Sequence, residues 1–169
     1  MSSGDQVSRR GLFGLLGGRK RVQAAEAGVS GVDPLAVRAD RLLKEQRYLD
    51  AEALYAELIE REPDHHEARH RRALCFLRTG RHGQARAAWD EVLERTPEDP
   101  TALLYQGLSH AQEGAADEAV AIWRRYKNYR QVELQREVNL IMALADEGRC
   151  PAPEEMVERI ETALAGDGP

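Results

Sequence analysis

The chain has 169 residues, of which 42% are apolar, 31% charged and only 5% aromatic, and it carries a net charge of −5. That length suits one domain with a real core plus a tail, and the richness in Ala, Leu, Glu and Arg suits surface-exposed helices. Alternating runs of Val, Ile and Thr that a half-buried strand needs are missing, no stretch approaches the roughly 18 apolar residues of a membrane span, and the acidic balance argues against a nucleic-acid backbone as partner. An all-α, soluble protein is expected.

Residues 1–31 differ from the rest. Arg9, Arg10, Arg19, Lys20 and Arg21 stand against Asp5 and Glu26, a local charge of +3 that leaves −8 for the remainder. Ser8-Arg9-Arg10-Gly11-Leu12-Phe13 resembles a bacterial twin-arginine export signal. Its apolar part, Gly11 to Gly18, is short and half glycine, and Arg19-Lys20-Arg21 follows at once. Three roles are open for this segment: a disordered basic tail, an anchor through Arg9, Arg10, Leu12 and Phe13 to an anionic membrane or a partner, and export. A cytoplasmic location is expected, with the periplasm as the alternative.

From residue 32 onward a period of 34 is visible. Ala51, Ala85 and Ala119 are each followed four residues later by a large aromatic, Tyr55, Trp89 and Trp123. Pro63 and Pro97 follow the first two aromatics by eight residues and predict helix ends. Upstream, Ala39, Ala73 and Gly107 keep the same interval, as do the turn positions Gln46, Gly80 and Gly114. Small residues at these places would let paired helices approach closely.

This combination resembles the tetratricopeptide repeat family. The resemblance implies three helical hairpins at 32–65, 66–99 and 100–131, stacked into a right-handed α-α superhelix. Two departures are visible: arginine (Arg38, Arg72) where an apolar residue is usual, and Gln131 where proline is expected. Helices are predicted near 34–45, 48–61, 65–79, 82–95, 99–113 and 116–128. Asp33-Pro34 and Asp99-Pro100 pair a capping side chain with proline at the first helical position, and Asp64 is assigned the same capping role. Residues 132–165 are expected to close the stack: a capping helix bearing Val138, Ile141, Met142 and Ala145, then, after Cys150-Pro151-Ala152-Pro153, an amphipathic helix bearing Met156, Val157, Ile160 and Leu164.

The resemblance also implies a non-catalytic module that binds a protein or peptide segment in a concave groove lined by the first helix of each hairpin. Carried over position by position, the groove comprises Asp40, Leu43 and Lys44; His70, Arg71, Leu74, Leu77 and Arg78; and Leu104, Tyr105, Leu108 and Gln112. Some of these leucines could instead belong to the core between repeats. Arg69, Arg71, Arg72, Arg78, Arg81 and Arg86 concentrate basic charge in the second unit, either to steer an acidic, apolar-anchored partner or to balance the acidic first unit. The carboxylate clamp some relatives use for chaperone tails is absent, since its positions hold Ala36, Asp40, Arg71, Thr101 and Tyr105.

Three other features suggest chemistry. His66-Glu67-Ala68-Arg69-His70 matches His-Glu-x-x-His, whose spacing sets two histidines one turn apart for zinc. It begins a repeat helix, no third ligand is indicated, and no zinc-hydrolase cleft is expected around it, so no metal, cofactor or catalytic residue is assigned. The string from Trp123 to Arg130 mixes aromatic and basic residues as a nucleic-acid stacking surface would, but the repeat register puts Trp123 and Tyr126 in the core. Cys75 and Cys150 belong to no Cys-x-x-Cys pair and are expected to be free thiols.

Overall fold

The computed structural model describes residues 33–166. Among them are eight helices and no strand: α1 Pro34–Lys44, α2 Tyr48–Arg61, α3 His66–Arg78, α4 His82–Arg95, α5 Pro100–Gln112, α6 Ala116–Trp123, α7 Val132–Asp146 and α8 Pro153–Gly166. The first six form three antiparallel hairpins, α1–α2, α3–α4 and α5–α6, and each hairpin packs on the next. The basic segment 1–31, with Arg9, Arg10, Leu12 and Phe13, lies outside the described residues.

Local chemistry fixes the helix starts. The Asp33 carboxylate accepts the Leu35 amide at 2.6 Å and Asp99 accepts that of Ala102 at 2.8 Å, and each is followed by proline in the first turn. Asp64 does not cap α3. That place is taken by His65, whose Nδ1 accepts the Ala68 amide at 3.2 Å, while Asp64 pairs with Arg95 across 3.3 Å. Pro63 and Pro97 each fall one residue beyond a C-cap, Glu62 and Thr96. The third hairpin lacks that proline, and its second helix still ends early: α6 stops at Trp123 rather than near 128. Its end is a tight turn in which the Arg125 and Tyr126 amides reach back three residues, to Ile122 at 3.1 Å and Trp123 at 2.9 Å.

Turns within the hairpins share one geometry. Gln46, Gly80 and Gly114 have φ of 59°, 72° and 81°, and the residue after each donates its amide to a carbonyl five positions back, at 2.9 Å in all three. Gly148 repeats it: φ is 69° and Arg149 bonds to Leu144 at 2.8 Å. The 34-residue period therefore runs through α7, one element beyond the three units read from the sequence. Past Arg149 the chain leaves the period, because Pro151 and Pro153 delay the next helix. α8 packs on α7 and also returns to α5.

Two apolar clusters form the core. One holds Ala39, Leu42, Ala51, Tyr55 and Leu58 of the first hairpin with Ala68 and Cys75 of α3. The other runs from Ala73, Phe76 and Leu77 of α3 through Trp89, Leu103, Leu108 and Trp123 to Val138, Ile141, Met156 and Ile160. The two faces of α3 thus belong to different clusters.

Two substitutions test the hairpin geometry. A Cβ at Gly107 would overlap the Trp123 indole, whose Nε1 donates to the Leu104 carbonyl at 3.1 Å. Gly107→Ala should therefore destabilise by about 1–2 kcal/mol in urea unfolding, because the packing strain exceeds the gain in helix propensity. Gln46→Gly, which relieves the one non-glycine residue at positive φ among the described residues, should raise stability by up to about 1 kcal/mol in the same assay.

Candidate functional site

The first helices α1, α3 and α5 carry the twelve groove residues carried over from the repeat pattern, and the structure divides them. Asp40, Leu43, Arg71, Leu74, Tyr105 and Gln112 are half-buried, and Lys44 and Arg78 are exposed. His70, Leu77, Leu104 and Leu108 are buried, at 7%, 4%, 3% and 0% exposure, so they offer no surface to a partner as the chain stands. Leu77, Leu104 and Leu108 share the larger apolar cluster with Met156 and Ile160 of α8. The cause is visible in one register position: Asp40 and Leu74 are half-buried, while Leu108, 34 residues on, is fully enclosed on the helix that α8 packs against. Arg78 reaches Glu161 of α8 at 3.2 Å, and Tyr105 stacks on Trp89 with ring centroids 5.7 Å apart. Burial pushes the Tyr105 phenol above its ordinary range, with Arg78 opposing and Glu161 adding to the shift.

The basic concentration of the second unit is balanced internally. Arg69 pairs with Glu91 at 3.2 Å, Arg71 with Glu67 at 2.7 Å and Asp40 at 3.3 Å, and Arg72 with Glu52 at 3.0 Å. Arg81 approaches the other Glu52 oxygen at 3.8 Å, and Arg86 pairs with Glu113. With Arg78 on Glu161, all six guanidiniums have a carboxylate partner. Several pairs cross between hairpins: Glu52 of α2 is gripped from α3 and from the Arg81 turn, and Asp40 of α1 accepts both the Tyr55 hydroxyl at 2.7 Å and Arg71. Burial, helped by the hydrogen bond to Asp40, drives the Tyr55 phenol well above its usual range. Arg72 and Arg81 also lie over the Phe76 ring, at 5.2 and 4.6 Å from its centroid.

The His-Glu-x-x-His segment has a third neighbour that sequence reading missed. His66 Nε2 lies 2.9 Å and His70 Nε2 3.3 Å from Asp99 Oδ2, and the two imidazole nitrogens are 3.1 Å apart. Asp99 stands 33 residues beyond His66, one repeat away, and its other oxygen caps α5. Burial works against its charge, but the bonds from His70, the Ala102 amide and His66 outweigh that and hold the carboxyl well below the usual range. Glu67, the motif's would-be general base, instead pairs with Arg71 and is mostly exposed. A capping aspartate one period after a helix that opens on histidine was the available signal.

The aromatic-basic string does not form a stacking surface. Trp123 and Tyr126 are buried at 0% and 2% exposure, leaving only Tyr129 of its three aromatics exposed. Arg124 pairs with Asp146, and Arg125 donates to the Pro97 carbonyl at 2.8 Å. Cys75 is buried and Cys150 exposed, and both are free thiols. Burial, with Glu52 nearby, pushes the Cys75 thiol up to about 12, so it packs as a small apolar residue.

Stacked helical hairpins with a 34-residue register, each closing through a left-handed turn, define a helical-repeat protein of the solenoid class. Two tetratricopeptide repeat models match the chain, over residues 42–108 and 101–131, together more than half of it, and the chain belongs to the tetratricopeptide repeat family. Similar solved structures include MamA 41-end from Desulfovibrio magneticus RS-1, 15% identical with a TM-score of 0.56 over 78% of this chain and 73% of that one. A second is the MamA RS-1 ArsTM double mutant, also 15% identical at a TM-score of 0.56, over 79% of this chain and 75% of that one. At this identity the likeness is one of superhelical fold. No curated protein matches the chain at a significant level. Repeats of this family make the chain a protein–protein interaction scaffold.

Because Asp99 both caps α5 and bonds two histidines of α3, its loss should be felt twice. Asp99→Ala is expected to cost about 2–3 kcal/mol in urea unfolding, and Asp99→Asn, which keeps a good cap, about 1 kcal/mol.

Proposed function

We propose that the chain is a non-catalytic adaptor whose partner segment docks across α1 and α3, on Leu43, Lys44 and Leu74. The observation that supports this reading is the burial gradient along the first helices: Leu108 and Ala111 on α5, the helix that α8 packs against, are buried, whereas Leu74 and Leu43 at the equivalent positions pack at the edge of the two clusters and keep part of their surface exposed. Two leucines beside a lysine suit a segment with apolar anchors and an acidic side chain. Lys44 supplies the charge, because no carboxylate lies within ion-pair distance of it among the described residues, while Arg71 and Arg78 are held by Asp40, Glu67 and Glu161. A cytoplasmic setting, with Arg9, Arg10, Leu12 and Phe13 touching a membrane or a partner, fits an adaptor of this kind. The periplasmic alternative predicts a mature N-terminus near Gly28.

The test is affinity capture from the source cell with the intact chain, Leu74→Asp and Lys44→Glu, each checked for an unchanged helical circular-dichroism spectrum. Both variants should retain the specific partner at least about tenfold less well, as expected for residues at the centre of an interface. Equal recovery of every partner by both variants would show that the segment docks elsewhere.

A further inference from the structure

Beyond the repeat scaffold, the chain brings together three metal-type donors, two from α3 and one from the cap of α5. His66 and His70 lie at i and i+4 on α3 and so share a face one turn apart. Asp99, the cap of α5, supplies the third donor, and the three atoms lie 2.9, 3.1 and 3.3 Å from one another.

Two physical arguments distinguish this group from an ordinary buried hydrogen-bond cluster. The first is proton bookkeeping. Asp99 Oδ2 can only accept, so each imidazole contact to it requires an Nε2–H. With both protons in place, His66 and His70 face each other with two donors and no acceptor; with one removed, a contact to Asp99 loses its proton. No placement of protons turns all three contacts into hydrogen bonds, whereas one cation satisfies three lone pairs at once. The second is size. An ion bonded at about 2.0–2.1 Å in a tetrahedral site holds its donors about 3.3 Å apart, so the triangle needs to expand by only a few tenths of an ångström.

The surroundings suit such an ion. Asp99 is oriented through its other oxygen by the Ala102 amide, so Oδ2 is already aimed at the site. His70 is buried, so its Nε2 beside Asp99 is shielded from bulk solvent. The His66 side chain is about half exposed, at 49%, which provides a path for entry and room for a water as fourth ligand. Two imidazoles and one carboxylate select a borderline divalent transition ion, of which Zn²⁺ is representative, over Mg²⁺ or Ca²⁺, which favour all-oxygen shells.

We propose that His66, His70 and Asp99 form a Zn²⁺-type site that fastens the second hairpin to the third. The ion links a helix of one repeat to the helix cap of the next, so it acts as a clamp on the stack. Glu67, engaged with Arg71, takes no part in it.

The experiment uses the full chain without a histidine tag, treated with chelator and then titrated with ZnCl₂ by calorimetry, with CoCl₂ as a spectroscopic probe. One equivalent of Zn²⁺ per chain should bind and raise the thermal midpoint, and Co²⁺ should give the intense visible bands of a four-coordinate ion. His66→Ala, at an exposed position, and Asp99→Asn, which preserves the cap, should each weaken binding at least about tenfold, since loss even of an outer-shell partner costs that much. His65→Asn and Cys150→Ser, which alter the histidine adjacent in sequence and the exposed thiol, should bind as the parent does. Absence of stoichiometric binding, binding that survives His66→Ala, or binding lost in Cys150→Ser would each overturn the proposal.

Discussion

Close approach of the two helices in each hairpin is the constraint on which the other features rest. Ala39 and Ala73 share a buried cluster with the large ring of their own hairpin, Tyr55 and Trp89, and Gly107 lies directly against Trp123. The third hairpin shows how tight this is, because even a methyl group at Gly107 would meet the Trp123 indole. Once that approach is set, the connecting turn has to be short and left-handed, which is why φ is positive at the same place in every unit. The turn in turn sets the start of the second helix of each hairpin.

Stacking of one hairpin on the next is held differently at different places. Between the second and third hairpins the apolar cluster is continuous. Between the first and second, α3 divides its apolar residues between two clusters, and charge crosses the junction: Glu52 to Arg72 and Arg81, and Asp40 to Arg71. Partly exposed ion pairs contribute little to stability and are screened by salt. They do select a register, because a carboxylate must find its guanidinium. Three of the six arginines that look in sequence like a landing surface for an acidic partner, Arg71, Arg72 and Arg81, are the polar half of this junction.

What the sequence made legible was whatever repeats. Alanine, aromatic and proline spacing located the hairpins, and the helices α1 to α5 begin and end within a residue of the predicted limits. What stayed hidden depends on contacts between elements far apart in the chain. The repeat pattern marks Leu108 as a groove position, and only the return of α8 to α5 encloses it. His66 and His70 read as a two-donor motif without a third ligand, since Asp99 has a sufficient local reason to exist as a helix cap. A residue that serves a local role conceals a second, distant one.

The divergence after α7 bears most directly on function. Gly148 and the Arg149 amide reproduce the turn that, three times earlier, leads straight into a second helix. Here Cys150, Pro151 and Ala152 intervene, so α8 begins three residues later than the register 48, 82, 116 would place it. The delay changes which face α8 can reach. Instead of extending the stack it lies against α5, buries Met156, Ile160 and Ala163, and joins α3 through Arg78 and Glu161. In a solenoid that continues, the last apolar face is covered by another repeat. In this chain α8 lies over α5 instead, where Leu104 and Leu108 are buried in one cluster with Met156 and Ile160, while Leu43 and Leu74 on α1 and α3 are only half-buried.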